Sequence, residues 1–268
     1  MANTTEFVFE EGMLLPVLSV RGTVAFPAVT MSLDIVRPLS LKALAAASKA
    51  DGRILLLTQK DVSIEEPREC DFYRTGTVCV IKQAGPMPEG GVRAVFEGIC
   101  RAKVLSLTGE DGHFTAAVRC DEPVADPIGD AKARALAREA LALADAIAQV
   151  HPSLPENLRY VARGIHDLSR LCDFLASGIL MSDSSKQLIL DIRNPVARME
   201  KLLVLMAEEL DILRCEYEIH RRVKEKLDTN QKEFFLREQV RAIQQELGEG
   251  ADEEVDEYAA KIKAAEIS

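Results

Sequence analysis

The 268-residue sequence has no run of eighteen consecutive apolar residues, and its start, MANTTEFVFEEGM, lacks a basic stretch followed by an apolar one. The first absence argues against a membrane-spanning helix, and the second argues against a secretory signal. Basic residues are also few, 33 against 43 acidic ones, and the resulting net charge of −10 repels the phosphate backbone of nucleic acids. We therefore expect a cytoplasmic protein with neither membrane nor nucleic acid among its partners.

Cysteine is sparse and never occurs as a C-x-x-C pair. The six cysteines are widely spaced along the chain, and without a secretory signal we predict reduced, mostly buried thiols instead of disulfides. The four histidines include no H-E-x-x-H pair and keep no recurring spacing with cysteine. This pattern argues against a zinc site, so the sequence predicts no metal.

Catalytic motifs are missing as well. There is no G-x-x-x-x-G-K-[ST] loop for nucleotide phosphates and no G-x-S-x-G elbow for a serine nucleophile. Ser184 and Ser185 precede Lys186, but neighbours in sequence do not make a nucleophile and its base, and a position near a helix cap is expected. Glu65 and Glu66 lie in a polar turn, where carboxylates are usually only solvated. We predict that this chain is not an enzyme and binds no cofactor.

The first half of the chain has the pattern of a β domain. Between Met13 and about Asp121, short runs rich in Val, Ile, Leu, Phe and Thr are separated by Gly, Pro and Asp. A single helix is expected at 37–52, with proline near its start and glycine after its end. Many short strands with one crossover helix predict a small barrel-like sheet, which we assign to residues 1–123. The predicted strands are 14–20, 31–36, 53–59, 75–83, 92–107 and 113–120.

The second half is predicted to be helical, which makes the fold class α+β. Residues 131–150 contain no turn residue, two further helices are separated at Gly164, and another follows the serines near residue 182, so 124–195 is expected to form a helical bundle. From Val196 to Leu247 the helical pattern meets no proline or glycine. A helix of that length spans roughly 78 Å, so the distal half of the predicted 196–248 helix should leave the bundle.

The end of the chain is strongly acidic. Residues 249–257, EGADEEVDE, contain six carboxylates and no basic residue. Their mutual repulsion predicts a flexible acidic linker, and the helical pattern resumes after it. We therefore expect 249–268 to be an acidic linker and the start of the next helical element.

Two adjacent phenylalanines lie inside the charged long helix. At about 100° per residue, Phe234 points almost opposite to an apolar stripe and Phe235 about a quarter-turn from it, so one buried face cannot take all of these groups. A second surface, from another copy or from a client chain, would explain the pair. Two alternatives stay open: helices of the same molecule cover both sides, or Asn230 and Glu233 form a capping box that starts a fresh helix. The stripe consists of Leu236, Val240, Ile243 and Leu247.

Three stretches resemble the amino-terminal region of the Lon family of ATP-dependent proteases. LPVLSVRGTVAFP resembles that family's L-P-x-L-P-L-R followed by V-x-F-P, and VFEGICRA resembles its V-x-V-E-G-x-x-R-A. The most specific is NQKEFFLREQVRAIQQELGE, which is similar to Q-K-E-Y-Y-L-R-E-Q-x-x-A-I-Q-K-E-L-G-E. The resemblance covers about residues 14–267. It departs from the family at Ser19, where proline is usual, and at Phe234 and Phe235, which replace the commoner tyrosines.

The resemblance implies a PUA-like β domain, a helical bundle and a long helix leading into an AAA+ ATPase module and a protease module with a Ser-Lys dyad. Those modules are missing from this sequence, so ATP and Mg²⁺ are expected only in them, beyond Ser268. This chain would then recognise substrates and organise the oligomer, and deliver clients to the missing modules. The implied partners are unfolded or degron-bearing proteins and the other subunits of a homohexamer.

Candidate client-binding residues are apolar groups expected at the surface, because misfolded clients expose apolar segments and methionine adapts to varied partners. Met87 has an ordinary turn role as its alternative, and Met181 has the bundle core. Other functions stay open: an RNA-binding PUA-like protein, a stand-alone Lon-like domain protein, or a small hydrolase. The candidates are Pro86, Met87 and Pro88 between the fourth and fifth strands, Met181 in the bundle, and Phe234 and Phe235.

Overall fold

The structure, a computed structural model, describes residues 12–110, 112–121, 124, 130–151, 154 and 157–265; at residue 110 and beyond residue 246 it describes the backbone only. The chain divides into two compact units, Met1–Leu213 and Arg214–Ser268. The first unit holds a β domain and a group of helices, and the second is built on the continuation of the last helix.

Six strands of the first unit form one mixed sheet that closes on itself. The strand order is β2-β5-β4-β3-β1-β6, and β5 also pairs with β6, so that β1, β3, β4, β5 and β6 form a barrel with β2 added to β5. Only the pairing of β1 with β3 is parallel. This confirms the predicted α+β class. The strands are β1 (Met13–Val20), β2 (Thr30–Ile35), β3 (Arg53–Thr58), β4 (Thr75–Pro86), β5 (Val92–Glu110) and β6 (His113–Cys120).

The long strand β5 pairs with β2 and β4 along its first half and with β6 along its second. At its middle, Gly98 accepts a hydrogen bond from the Ala28 N–H (2.9 Å) and donates one to the Val29 carbonyl (3.0 Å). A Cβ on Gly98 would clash with the carbonyl oxygen of Phe26. Glycine is therefore required here because the 26–29 loop crosses directly over the strand.

The helices of the first unit share a core that also contains part of the β domain. Val24 and Phe26 pack in the same cluster as Leu171, Leu175 and Met199. The predicted helices are all present, and all but the last end close to their expected bounds. They are α1 (Pro38–Lys49) beside the barrel, α2 (Ala131–Val150), α3 (Leu158–Arg163), α4 (Leu168–Ile179), α5 (Asp183–Asp191) and α6 (Pro195–Ala265), and a short 3-10 helix lies at Glu69–Asp71.

Helix α6 begins where the side-chain oxygen of Asn194 accepts hydrogen bonds from the N–H groups of Val196 (3.0 Å) and Ala197 (3.1 Å). It then continues to Ala265, so the prediction of a flexible acidic linker at 249–257 is wrong. Charge repulsion and the lack of an apolar stripe predicted the linker, but glutamate is a good helix former, and the segment contains no proline. The alternative of a fresh helix at Asn230 is also wrong, because the backbone is helical on both sides of it.

The cysteines follow the prediction of free thiols. Cys70 and Cys215 are exposed, and the other four are buried. Burial raises the pKa of the Cys79 and Cys172 thiols, which therefore stay protonated at neutral pH. Across the part of the chain that the structure describes, no helix is long and apolar enough to cross a membrane, and no group of three His, Cys, Asp or Glu side chains could hold a metal ion.

Candidate functional site

Phe234 and Phe235 are exposed on α6, with 68% and 63% of their surface accessible. The apolar stripe that points away from Phe234 is exposed too: Leu236, Val240 and Ile243 are each more than half accessible. Indeed every side chain from Arg214 to Glu246 is exposed. Among the described residues, both rings of the aromatic pair are therefore open to a partner. Leu247, the last member of the predicted stripe, lies outside the described side chains.

The Pro86–Pro88 candidates form the tip of the β4–β5 hairpin. The Met87 N–H donates to the Gly91 carbonyl (3.1 Å), and the Gly90 N–H donates to the Met87 carbonyl (3.1 Å). Gly90 and Gly91 both have positive φ, which closes this tight turn. Pro86 and Pro88 are exposed, whereas the Met87 side chain is half-buried. Met87 thus has a structural role in the turn and only part of its side chain is available to a partner.

Met181 lies between α4 and α5 and is 59% exposed. The alternative of a core position for this residue is wrong, because Leu180 takes the buried position beside it. The candidates thus occupy three separate elements: a hairpin tip, an interhelical connection and α6.

A buried ionic cluster was not predicted from the sequence. The Asp173 carboxylate on α4 accepts hydrogen bonds from Arg101 on β5 (Nη1, 2.9 Å, and Nη2) and from Arg198 on α6 (Nη1, 3.2 Å). Both guanidinium groups are pinned further, Arg101 to the Leu190 carbonyl (3.0 Å) and Arg198 to the Ile192 carbonyl (2.8 Å). The cluster joins the β domain to the helices of the first unit.

A second network surrounds Gln59, a glutamine with only 2% of its surface exposed. Its Oε1 accepts hydrogen bonds from Ser19 Oγ (2.8 Å), Arg21 Nε (2.9 Å) and Arg37 Nη1 (3.1 Å). Its Nε2 donates to the Ile64 carbonyl (3.1 Å), which also accepts from Arg21 Nη2. One neutral amide therefore holds two cationic groups side by side.

Some sequence signal existed for both networks. Arg21 lies in the LPVLSVR stretch and Arg101 in the EGICRA stretch, and a charged residue within a strand motif is a reason to expect a specific partner. Asp173, Gln59 and Arg37 lie in none of these motif stretches, and most of their partners are distant in sequence, up to 72 residues for Asp173 and Arg101.

The fold matches solved domains of one class. The N-terminal domain of Mycobacterium avium complex Lon protease matches with a TM-score of 0.59 and 20% identity, covering 73% of this chain and 98% of that chain. A Lon N-terminal domain protein from Xanthomonas campestris matches with a TM-score of 0.51 and 17% identity, covering 72% of this chain and 98% of that one. These likenesses show that the fold is that of Lon N-terminal domains.

The sequence comparisons then give the family. Residues 14–208 match the sequence model described as the ATP-dependent protease La (LON) substrate-binding domain. The chain is 35% identical over 254 residues to Lon protease of Clostridioides difficile (strain 630), covering 93% of this chain and 32% of that protein. For Lon protease of Escherichia coli (strain K12), the identity is 32% over 260 residues, covering 96% and 33%. The chain therefore belongs to the Lon substrate-binding domain family.

The family match covers some candidate residues and not others. The chain spans about a third of the length of the curated relatives it matches. Pro86, Met87, Pro88 and Met181 all lie inside the matched range 14–208, whereas Phe234 and Phe235 lie beyond it. The aromatic pair thus belongs to the unit that follows the family's substrate-binding domain.

Proposed function

We propose that this chain is the substrate-recognition region of an ATP-dependent Lon protease. It binds unfolded or degron-bearing proteins and delivers them to ATPase and protease modules whose residues lie outside this chain. The observation that supports this best is the match of residues 14–208 to a substrate-binding domain family. The excess of acidic residues argues against the RNA-binding alternative.

Exposed apolar groups provide the physical basis for client binding. Unfolded proteins expose apolar side chains, and covering one Phe side chain contributes about 1.5–3 kcal/mol. Phe234 and Phe235 offer two such side chains that are already held on a helix, so binding does not have to order them from a flexible segment. The net charge of −10 opposes association between copies through these same groups.

The apolar stripe on α6 supports a second role, in assembly. Leu236, Val240 and Ile243 follow the four-and-three spacing by which helices pack against one another, and all three are exposed. Because Phe234 points away from this stripe, one helix can contact a neighbouring subunit with one face and a client with another. We propose that the stripe packs against other subunits of a homohexamer.

The proposal is tested by fluorescence anisotropy with labelled α-lactalbumin in two forms: reduced and carboxymethylated, hence permanently unfolded, and native. We expect the unfolded form to bind and the native form not to bind. Replacing both Phe234 and Phe235 with Ser should weaken binding about tenfold or more, since each 1.4 kcal/mol is worth a factor of ten. The matched control replaces Val223 and Leu227, two exposed aliphatic residues of α6, with Ser.

The control variant should bind within about threefold of the wild type, because it removes no aromatic contact. Circular dichroism at 222 nm should be the same for both variants, which checks that α6 stays helical. If a Met87→Ser/Met181→Ser variant loses affinity and the variant of Phe234 and Phe235 does not, the client contacts residues 14–208 and not the aromatic pair. Equal binding of native and unfolded α-lactalbumin would contradict the proposed function itself.

A further inference from the structure

The β domain contains a cavity of about 540 Å³ that the candidate residues do not line. This volume lies within the usual range for ligand sites in proteins. Its walls come from β1, the start of α1, the 65–67 segment and β6. They include the apolar residues Val17, Leu39, Pro67 and Phe114, the cations Arg21 and Arg37, and the carboxylates Glu65 and Glu66.

Arg21 and Arg37 have no anionic partner among the described residues. Within the part of the chain that the structure describes, their hydrogen bonds go to Gln59, Ser19 and the Ile64 carbonyl, all neutral. Neither forms an ion pair with a described carboxylate, and Arg21 Nη1 and Arg37 Nε make no hydrogen bond to a described residue. Burial, together with the neighbouring Arg21 charge, lowers the pKa of Arg37. A bound anion would offset both the burial and the repulsion.

The dipole of helix α1 also favours an anion in the cavity. Arg37 is the residue before the first turn of α1, which has no acidic residue and no side-chain cap at its N-terminus. The positive end of the helix dipole therefore acts in the same direction as the two guanidinium groups. Planar guanidinium groups also match the geometry of a carboxylate, which can accept two parallel N–H bonds.

We propose that this cavity binds the C-terminal carboxylate of a client peptide, between Arg21 and Arg37, with its last side chain on the apolar wall. In a C-terminal residue with an apolar side chain, the carboxylate and the side chain are attached to the same Cα. One residue can therefore place its carboxylate on the cationic wall and its side chain on the adjoining apolar wall. An internal acidic residue carries its carboxylate at the tip of its own side chain and brings no apolar group with it. The inference rests on the proposed function, because it identifies which part of a client this domain recognises.

The rim of the cavity predicts a preference in the preceding residues. Glu65 and Glu66 line the opening and are exposed to solvent. Their charges repel acidic residues close to a bound terminus, and they also oppose the terminal carboxylate itself, but solvent screens these exposed groups more than the half-buried arginines. The favoured client terminus is therefore apolar and uncharged apart from its carboxylate.

The test uses the intact chain and N-terminally fluorescein-labelled decapeptides that end in Ala-Leu. One peptide has a free C-terminal carboxylate, a second has a C-terminal amide, and a third has the amide and one internal Asp. We expect the free acid to bind about tenfold or more tightly than the amide, since charge-assisted hydrogen bonds are lost on amidation. The internal Asp should not restore binding.

Variants locate the site. Arg37→Gln should abolish the difference between acid and amide, Arg37→Lys should retain part of it, and Glu65→Gln/Glu66→Gln should leave acid binding as tight or tighter. Equal binding of acid and amide to the wild type overturns the inference without any variant having to fold. Full binding by the internal Asp peptide overturns the assignment to a chain terminus.

The same measurements separate this inference from the proposed function. If unfolded α-lactalbumin binds while acid and amide peptides bind alike, the proposed function stands and the cavity is not its terminus site. If neither the unfolded protein nor any peptide binds, both are overturned.

Discussion

Replacing Asp173 with Asn should strongly destabilise the Met1–Leu213 unit. Asp173 is 1% exposed and is the carboxylate shared by Arg101 and Arg198, whose side chains are 7% and 3% exposed. Asparagine keeps the size of the side chain but removes its charge, and it turns an N–H₂ group toward guanidinium donors. Removing one partner of a buried ion pair costs about 3–5 kcal/mol. The cost should fall in this range because hydrogen bonds to main-chain carbonyls keep both arginines from moving into water.

The assay is urea unfolding followed by circular dichroism at 222 nm. With a slope of about 2 kcal/mol/M, the unfolding midpoint should fall by roughly 1.5–2.5 M. The matched control is Asp145→Asn, which breaks the 2.7 Å pair with Arg163 at the surface, where both side chains are partly exposed. A surface pair contributes under about 1 kcal/mol, so its midpoint should change by less than about 0.5 M. Equal shifts for the two variants would refute the claim that the cluster holds the β domain to the helices.

Two further predictions concern the close approach on β5 and the thiols. Gly98→Ala should lower the melting temperature by about 4 °C or more, because the 26–29 loop has to move away from the new Cβ, whereas Gly85→Ala, with open space around it, should change it by less than about 2 °C. Similar melting temperatures would contradict the close approach. With a thiol-reactive disulfide reagent at neutral pH, only Cys70 and Cys215 should react quickly, because the other four thiols are buried, and burial also raises the pKa of Cys79 and Cys172. Six fast-reacting thiols in the folded chain would show that the core is open.

Most secondary structure could be predicted because the signals were local. Each of the six strands matches a predicted short run rich in Val, Ile, Leu, Phe or Thr, and α2 coincides with the predicted 131–150. A barrel-like sheet was predicted, but not which strands pair in it, because β5 pairs with three other strands and pairing partners leave no local pattern. The end of α6 differs from the prediction for another reason: the repulsion within 249–257 and its lack of an apolar stripe indicated a linker, although its four glutamates and one alanine favour helix.

The candidate site was predictable in part. The phase of Phe234 against the stripe indicated that one face could not bury both, and the exposure of both agrees with that argument. Met181 was harder, since an apolar residue at a helix end suits the core and the surface equally well. Arg21, Arg37 and Gln59 meet only in the folded β domain, so no reading of nearby residues could have placed two cations on one cavity.

The central claim, that this chain recognises unfolded protein, is tested most directly by hydrogen–deuterium exchange with and without saturating reduced, carboxymethylated α-lactalbumin. We predict slower amide exchange on addition of the unfolded protein in peptides that contain Phe234 and Phe235 or the Pro86–Pro88 turn, and no change on addition of native α-lactalbumin. Identical exchange along the whole chain in the presence and absence of the unfolded protein would contradict the claim.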